Sequence, residues 1–97
     1  MTKSYRVTPR AEQDLDLIAD YTIKEWGENR LRIYLEQIIE QFEWLSENPL
    51  AGSVRDDIHP DYRSFLVGRH LIFYIITDDT IDIIGVPHSS RDIRNYF

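Results

Sequence analysis

The sequence predicts an α+β domain in the order β-α-α-β-β-β, a helical hairpin packed on one face of a mostly antiparallel four-stranded sheet. Three observations carry this prediction. A short alternating run opens the chain, two long stretches with apolar residues at helical spacing meet at a single glycine, and three short apolar runs separated by turn dipeptides close it. With 97 residues, 42% of them hydrophobic, residues 1–97 suit one domain, because two would each be too short to bury a sufficient core.

Ser4 to Thr8 reads as the first strand, with Tyr5 and Val7 on one face. Thr8-Pro9 then starts a helix: the threonine hydroxyl can cap, and proline at the first helical position gives up no needed N–H. A full capping box would want an acid at position 11, which is Ala11, so only the threonine cap is expected. Leu15, Ile18, Ala19, Thr22 and Trp26 form the apolar stripe, and Asp14, Asp16, Asp20 and Lys24 are placed away from it. Gly27 supplies the stop. A second helix over about 28–47 follows, with Leu31, Tyr34, Leu35, Ile38, Phe42 and Leu45 inward and Glu36, Glu40, Glu43 and Glu47 in water. So short a connection forces an antiparallel hairpin. Asn48-Pro49 ends the second helix, since a residue before proline is pushed out of helical geometry. Residues 50–61 read as the only long loop. Of the three closing strands, 62–67 alternates, 70–77 is apolar on both faces, and 80–86 ends at Pro87, with turns at Gly68-Arg69 and Asp78-Asp79. Ser90 to Phe97 reads as a short terminal turn or helix. The helices cover one face of the 70–77 strand, so its other face needs cover from the C-terminal segment or from a second protein.

Charge narrows the function. Eleven Lys and Arg against 17 Asp and Glu leave a net charge of −6, which argues against general attraction to phosphate and against direct nucleic-acid binding. The whole excess lies in residues 1–61; residues 62–97 balance Arg63, Arg69, Arg91 and Arg94 against four aspartates. These four arginines, with His70 and His88 at the strand ends, are the candidates for touching an acidic partner. The absence of cysteine removes disulfides and thiolate chemistry and fits a cytoplasmic protein. No apolar run approaches the ~20 residues of a membrane span, and the charged N-terminus is unlike a signal peptide. His59, His70 and His88 have no metal-ligand spacing, so neither a metal nor a cofactor is expected. Neither Asp56-Asp57 nor Asp78-Asp79 reads as a catalytic pair, because adjacent residues in a strand or loop tend to point apart, and Asp78-Asp79 sits where a hairpin turn is needed.

Several short motifs occur in order: Ala11-x-x-Asp14-Leu15-x-x-Ile18, Tyr21, Trp26-Gly27, Tyr34, Leu45-x-x-Asn48-Pro49-x-x-Gly52, Tyr62-Arg63, Gly68-Arg69-His70-x-Ile72-Phe73-Tyr74, Ile81-x-Ile83, Val86-x-His88 and Asp92. In these the chain resembles the ParE toxins of type II toxin–antitoxin modules, within the RelE/ParE superfamily. The resemblance implies the same β-α-α-β-β-β topology, a ParD-like antitoxin as partner, and DNA gyrase as the target inhibited in the best-known members. It implies no catalytic residue. The other branch of the superfamily, RelE, cleaves messenger RNA on the ribosome and needs cationic groups for the phosphate. Where RelE-like chains carry an arginine three residues before the strand tyrosine this chain has Leu71, and where a second falls after the His88 position it has Ser89. Arg91, Arg94 and Tyr96 keep a shifted alignment open, so a RelE-type ribonuclease is one alternative and a non-toxic binding protein of the same fold another.

Overall fold

A computed structural model describes residues 5–97; Ser4, expected to begin the first strand, lies outside them. The elements are β1 (Tyr5–Val7), α1 (Pro9–Trp26), α2 (Glu28–Glu47), β2 (Ser53–Val54), β3 (Arg63–Val67), β4 (His70–Thr77), β5 (Thr80–Gly85) and α3 (Ile93–Tyr96). The α+β class and the helical hairpin follow the sequence prediction, but the sheet has five strands, in the order β1-β5-β4-β3-β2. The extra strand is β2. Its two residues are exposed and sit in a polar loop, and only pairing with β3 (Ser53↔Ser64, Val54↔Arg63) makes them a strand. Neighbouring pairs are antiparallel except β1 and β5, which run parallel with Tyr5 opposite Ile81 and Val7 opposite Ile83.

Thr8 caps α1 as expected, its hydroxyl accepting the Ala11 N–H. Gly27, at φ +89°, is the only residue between the helices; it donates to the Ile23 carbonyl (3.1 Å) and accepts from Leu31 (3.1 Å). The core between helices and sheet is built from Ala11 and Ile18 of α1, Ile38, Phe42 and Leu45 of α2, and Val67, Ile72, Tyr74, Ile81, Ile83 and Val86 from the sheet side. Tyr5 meets Phe42 edge-on at 5.5 Å between ring centroids. The Tyr74 hydroxyl donates to the Pro49 carbonyl and accepts the Gly52 N–H, both at 2.8 Å, which pins the chain leaving α2 to the sheet.

Three expectations are corrected. Trp26 is 64% exposed, because the buried stripe of α1 stops at Thr22 and the Gly27 turnaround follows; the Arg30 guanidinium lies over its ring at 5.6 Å. Asp14, placed in water by the sequence, is buried: it accepts the Val86 N–H at 2.8 Å and the Tyr96 hydroxyl. Finally, β5 does not simply alternate. Phe73 pairs with Gly85 but Tyr74 with Ile83, so Ile84 is an extra residue in the ladder. That bulge lets Ile83 and Val86 both enter the core, whereas unbroken alternation along the strand would put Val86 on the face of Ile84.

The face of the sheet away from the helices is partly covered by the C-terminal segment. Phe97 packs against Phe73 at 5.0 Å and Tyr62 at 5.0 Å, and the Arg55 guanidinium lies 5.2 Å from the Phe73 ring. Phe73 is fully buried as a result.

Candidate partner-binding site

The Val67–His70 hairpin forms one end of the sheet. Its two-residue turn needs a positive φ at the first position, which Gly68 supplies at +56°. Glycine is required there on a second count, since a Cβ would stand 2.6 Å from a ring carbon of Tyr34. Tyr34 rises from α2 under this turn. Its hydroxyl lies 3.1 Å from the Val67 carbonyl and 2.7 Å from His70 Nδ1, and it accepts the Arg69 N–H at 3.3 Å. The chain beyond β5 returns to the same place: Leu71 donates to the Pro87 carbonyl (2.9 Å), Ser89 donates to the Arg69 carbonyl (2.8 Å), and His70 and His88 form an isolated antiparallel bridge with ring centroids 5.2 Å apart. His88 Nδ1 accepts the Ser90 N–H at 3.1 Å and lies 2.8 Å from the Ser90 hydroxyl.

Burial, and then the neighbouring His88, push the His70 imidazole down to about 4, with the Asp14 carboxylate opposing them. His70 is therefore neutral at physiological pH and tied to Tyr34. Arg69, His88 and Arg91 are exposed around it, and the Arg91 guanidinium sits 5.0 Å from the Tyr96 ring centroid.

Four of the six sequence candidates thus gather at one end of the molecule: Arg69, His70, His88 and Arg91. The other two are elsewhere. Arg63 opens β3 at its opposite end and donates to the carbonyls of Gly52 (2.9 Å) and Leu50 (3.4 Å), so it fastens the loop entering β2. Arg94 faces the 55–57 loop, where it adds to the field on Asp57; hydrogen bonding to Arg55 is the main reason that carboxyl sits below its ordinary range. A metal ion finds no cage, because among the described residues no three His, Cys, Asp or Glu side chains come together.

Sequence reasoning missed the group that braces this end from behind. Tyr96 is almost fully buried, its hydroxyl donating to Asp14, while Arg10 lies 4.0 Å over its ring and donates to its carbonyl. Burial, then the hydrogen bond to Asp14, raise the Tyr96 phenol to about 12. A signal for Asp14 was present: it stands three residues after Ala11 and four before Ile18, on the buried face of α1.

The family model described as "ParE toxin of type II toxin-antitoxin system, parDE" matches residues 5–93, almost the whole chain and every element just described up to the start of α3. The chain belongs to the ParE toxin family. Among its relatives, Toxin ParE1 of Mycobacterium tuberculosis (strain H37Rv) is 33% identical over 94 residues, covering 96% of each chain. Toxin ParE1 of Caulobacter vibrioides is 32% identical over 92 residues, covering 95% of each. The ParE fold is shared with a solved structure described as the chromosomal ParDE TA system from P. aeruginosa, at a TM-score of 0.76 and 22% identity over 88% of this chain and 94% of that one. As a ParE-family protein it is the toxin component of a type II toxin–antitoxin system.

Proposed function

We propose that this toxin acts in the cytoplasm as a non-enzymatic, protein-binding inhibitor of DNA gyrase and is neutralised by a ParD-like antitoxin. Membership of the ParE family over residues 5–93 carries the reading. The end of the sheet supports it. Arg69, His88 and Arg91 offer exposed positive and hydrogen-bonding groups in an otherwise acidic protein, and neither Arg69 nor Arg91 is in a salt bridge among the described residues. A local surface of that kind suits an acidic protein patch.

The same end is poorly equipped for RNA cleavage. His70 is neutral and hydrogen-bonded to Tyr34, His88 Nδ1 accepts the Ser90 N–H, and Leu71 and Ser89 stand where the RelE branch carries arginines. No helix among the described residues is long and apolar enough to cross a membrane. A supercoiling assay with purified gyrase tests the reading: inhibition at micromolar toxin, reversed by the antitoxin, is the expected result. No inhibition would overturn the gyrase assignment, and mRNA cleavage seen by primer extension after induction would replace it with the ribonuclease.

A further inference from the structure

Arg10, Asp14, Leu17, Tyr21 and Lys24 recur along α1 at alternating spacings of four and three residues, so they share one flank of the helix. The first two hold the closing segment of the chain. Asp14 accepts the Val86 N–H and the Tyr96 hydroxyl, and Arg10 donates to the Tyr96 carbonyl. Beyond Asp14 the flank is bare: Leu17 is 63% exposed and Tyr21 64% exposed, and neither joins the core. The helical hairpin fixes where this bare part lies. Tyr34 follows Gly27 by seven residues and Tyr21 precedes it by six, so the two tyrosines stand at nearly the same height along the hairpin. Tyr34 reaches the Val67 carbonyl and His70 under the Arg69 turn. Leu17 and Tyr21 therefore lie level with that turn, on the side where the closing segment returns through Pro87 and Ser89 to Leu71 and Arg69.

We propose that the target-binding surface continues from Arg69, His88 and Arg91 onto this flank of α1, with Leu17 and Tyr21 as its apolar centre and Lys24 as its far cation. Its occupant is an acidic protein segment that carries an apolar side chain between its carboxylates. This rests on the reading of the Arg69 end as the surface that meets the target. Exposed cations steer a partner but hold it weakly, because exposed ion pairs contribute little. Leucine and tyrosine supply what the cations lack, apolar area and an amphipathic ring that leave water on docking, framed by a charged rim. Lys24, Arg69 and Arg91 are in no salt bridge among the described residues, which leaves their charge to incoming carboxylates. Of the acids on α1, Glu12, Asp16 and Asp20 fall off the stripe, and Glu25 borders it one turn beyond Tyr21. A two-fold pairing of this flank with a second copy would set cations against cations, so the sign pattern selects an acidic partner.

The test compares the full-chain parent with a Leu17→Ala, Tyr21→Ala double variant, with Lys24→Glu, and with Trp26→Ala. The last removes an equally exposed aromatic, also 64% exposed, from another side of the same helix. All should melt with the parent, since each change is at an exposed side chain. In the supercoiling assay the double variant should inhibit gyrase at least tenfold less well and Trp26→Ala like the parent. Lys24→Glu should inhibit severalfold less well, by a margin that shrinks as salt is raised, and it decides the matter should the double variant misfold. The proposal is overturned by a double variant or Lys24→Glu that inhibits like the parent, or by an equal loss from Trp26→Ala. It is overturned as well by a double variant that loses the antitoxin and keeps the target, or by a sedimenting dimer that the double variant breaks. A parent that spares gyrase but arrests growth on induction refutes the gyrase assignment alone, and growth arrest by the same variants then decides this proposal in the same order. A parent that does neither refutes both.

Discussion

Two buried polar side chains set the behaviour of individual residues here. Asp14 and Tyr96 share a hydrogen bond, and the same carboxylate holds the Val86 N–H. Removing one partner of a buried charged hydrogen bond strands the other, so Tyr96→Phe should lower stability by about 1.5–3 kcal/mol in urea denaturation at neutral pH. Because the Tyr96 phenol is raised to about 12 from 10.0, the unfolded chain ionises first. Tyr96 thus contributes stability below pH 10 that is lost as pH rises toward 12, and Tyr96→Phe should flatten that alkaline loss. His70 works in the opposite direction. Its folded value of about 4 lies below the ordinary 6.5, so the unfolded chain takes up the proton first as pH falls. The contribution is complete above pH 6.5 and declines toward pH 4. Melting temperatures of the parent protein should fall more steeply over that window than those of His70→Asn, which keeps an acceptor near Tyr34. Equal slopes would show that His70 is not the titrating group.

At the scale of elements, the sheet has two unequal faces. One is packed on α1 and α2; the other is closed at Phe73 by the last residue of the chain. Phe73→Ala is expected to cost about 3–5 kcal/mol, the range for deleting a buried aromatic ring. Phe97→Ala should cost less, because Phe97 is 38% exposed and its removal uncovers Phe73 instead of leaving a closed cavity. Denaturation midpoints of the two variants measure the order; a larger loss from Phe97→Ala would mean that the terminal segment organises the fold rather than covering it. The bulge at Ile84 belongs to this scale too. It turns Val86 into the core and sets Gly85 opposite Phe73, with the Tyr96 hydroxyl crowding the place a Cβ would take.

For the molecule as a whole, charge is distributed against function in a simple way. The net −6 belongs to residues 1–61, while exposed Arg69, His88 and Arg91 stand together at one end of the sheet. Arg69 contributes its backbone to the fold, through Tyr34 and Ser89, and its side chain makes no hydrogen bond to the described residues. Arg69→Glu should therefore change stability by no more than about 0.5 kcal/mol, as an exposed substitution away from special features does, while weakening the gyrase inhibition proposed above. An unfolded Arg69→Glu protein, or one that matches a gyrase-inhibiting parent in the supercoiling assay, would contradict that division of roles.

Most of this architecture was legible in the sequence because it rests on local rules. The helical periods, the Thr8 cap, the Gly27 break, the Asn48-Pro49 stop and the two hairpin turns each follow from the chemistry of neighbouring residues, and they determined the class, the order of every element but β2, and most of the inward faces. Family motifs such as Trp26-Gly27 and Gly68-Arg69-His70 pointed to the ParE toxins. Tertiary structure alone decided what depends on residues far apart in the chain. It made a strand of Ser53–Val54, brought His70 beside His88, moved Arg63 and Arg94 away from the other candidates, and joined Asp14 to Tyr96 across 82 positions. A carboxylate on a helix is equally at home in water or under a tyrosine hydroxyl; the fold alone supplies the tyrosine.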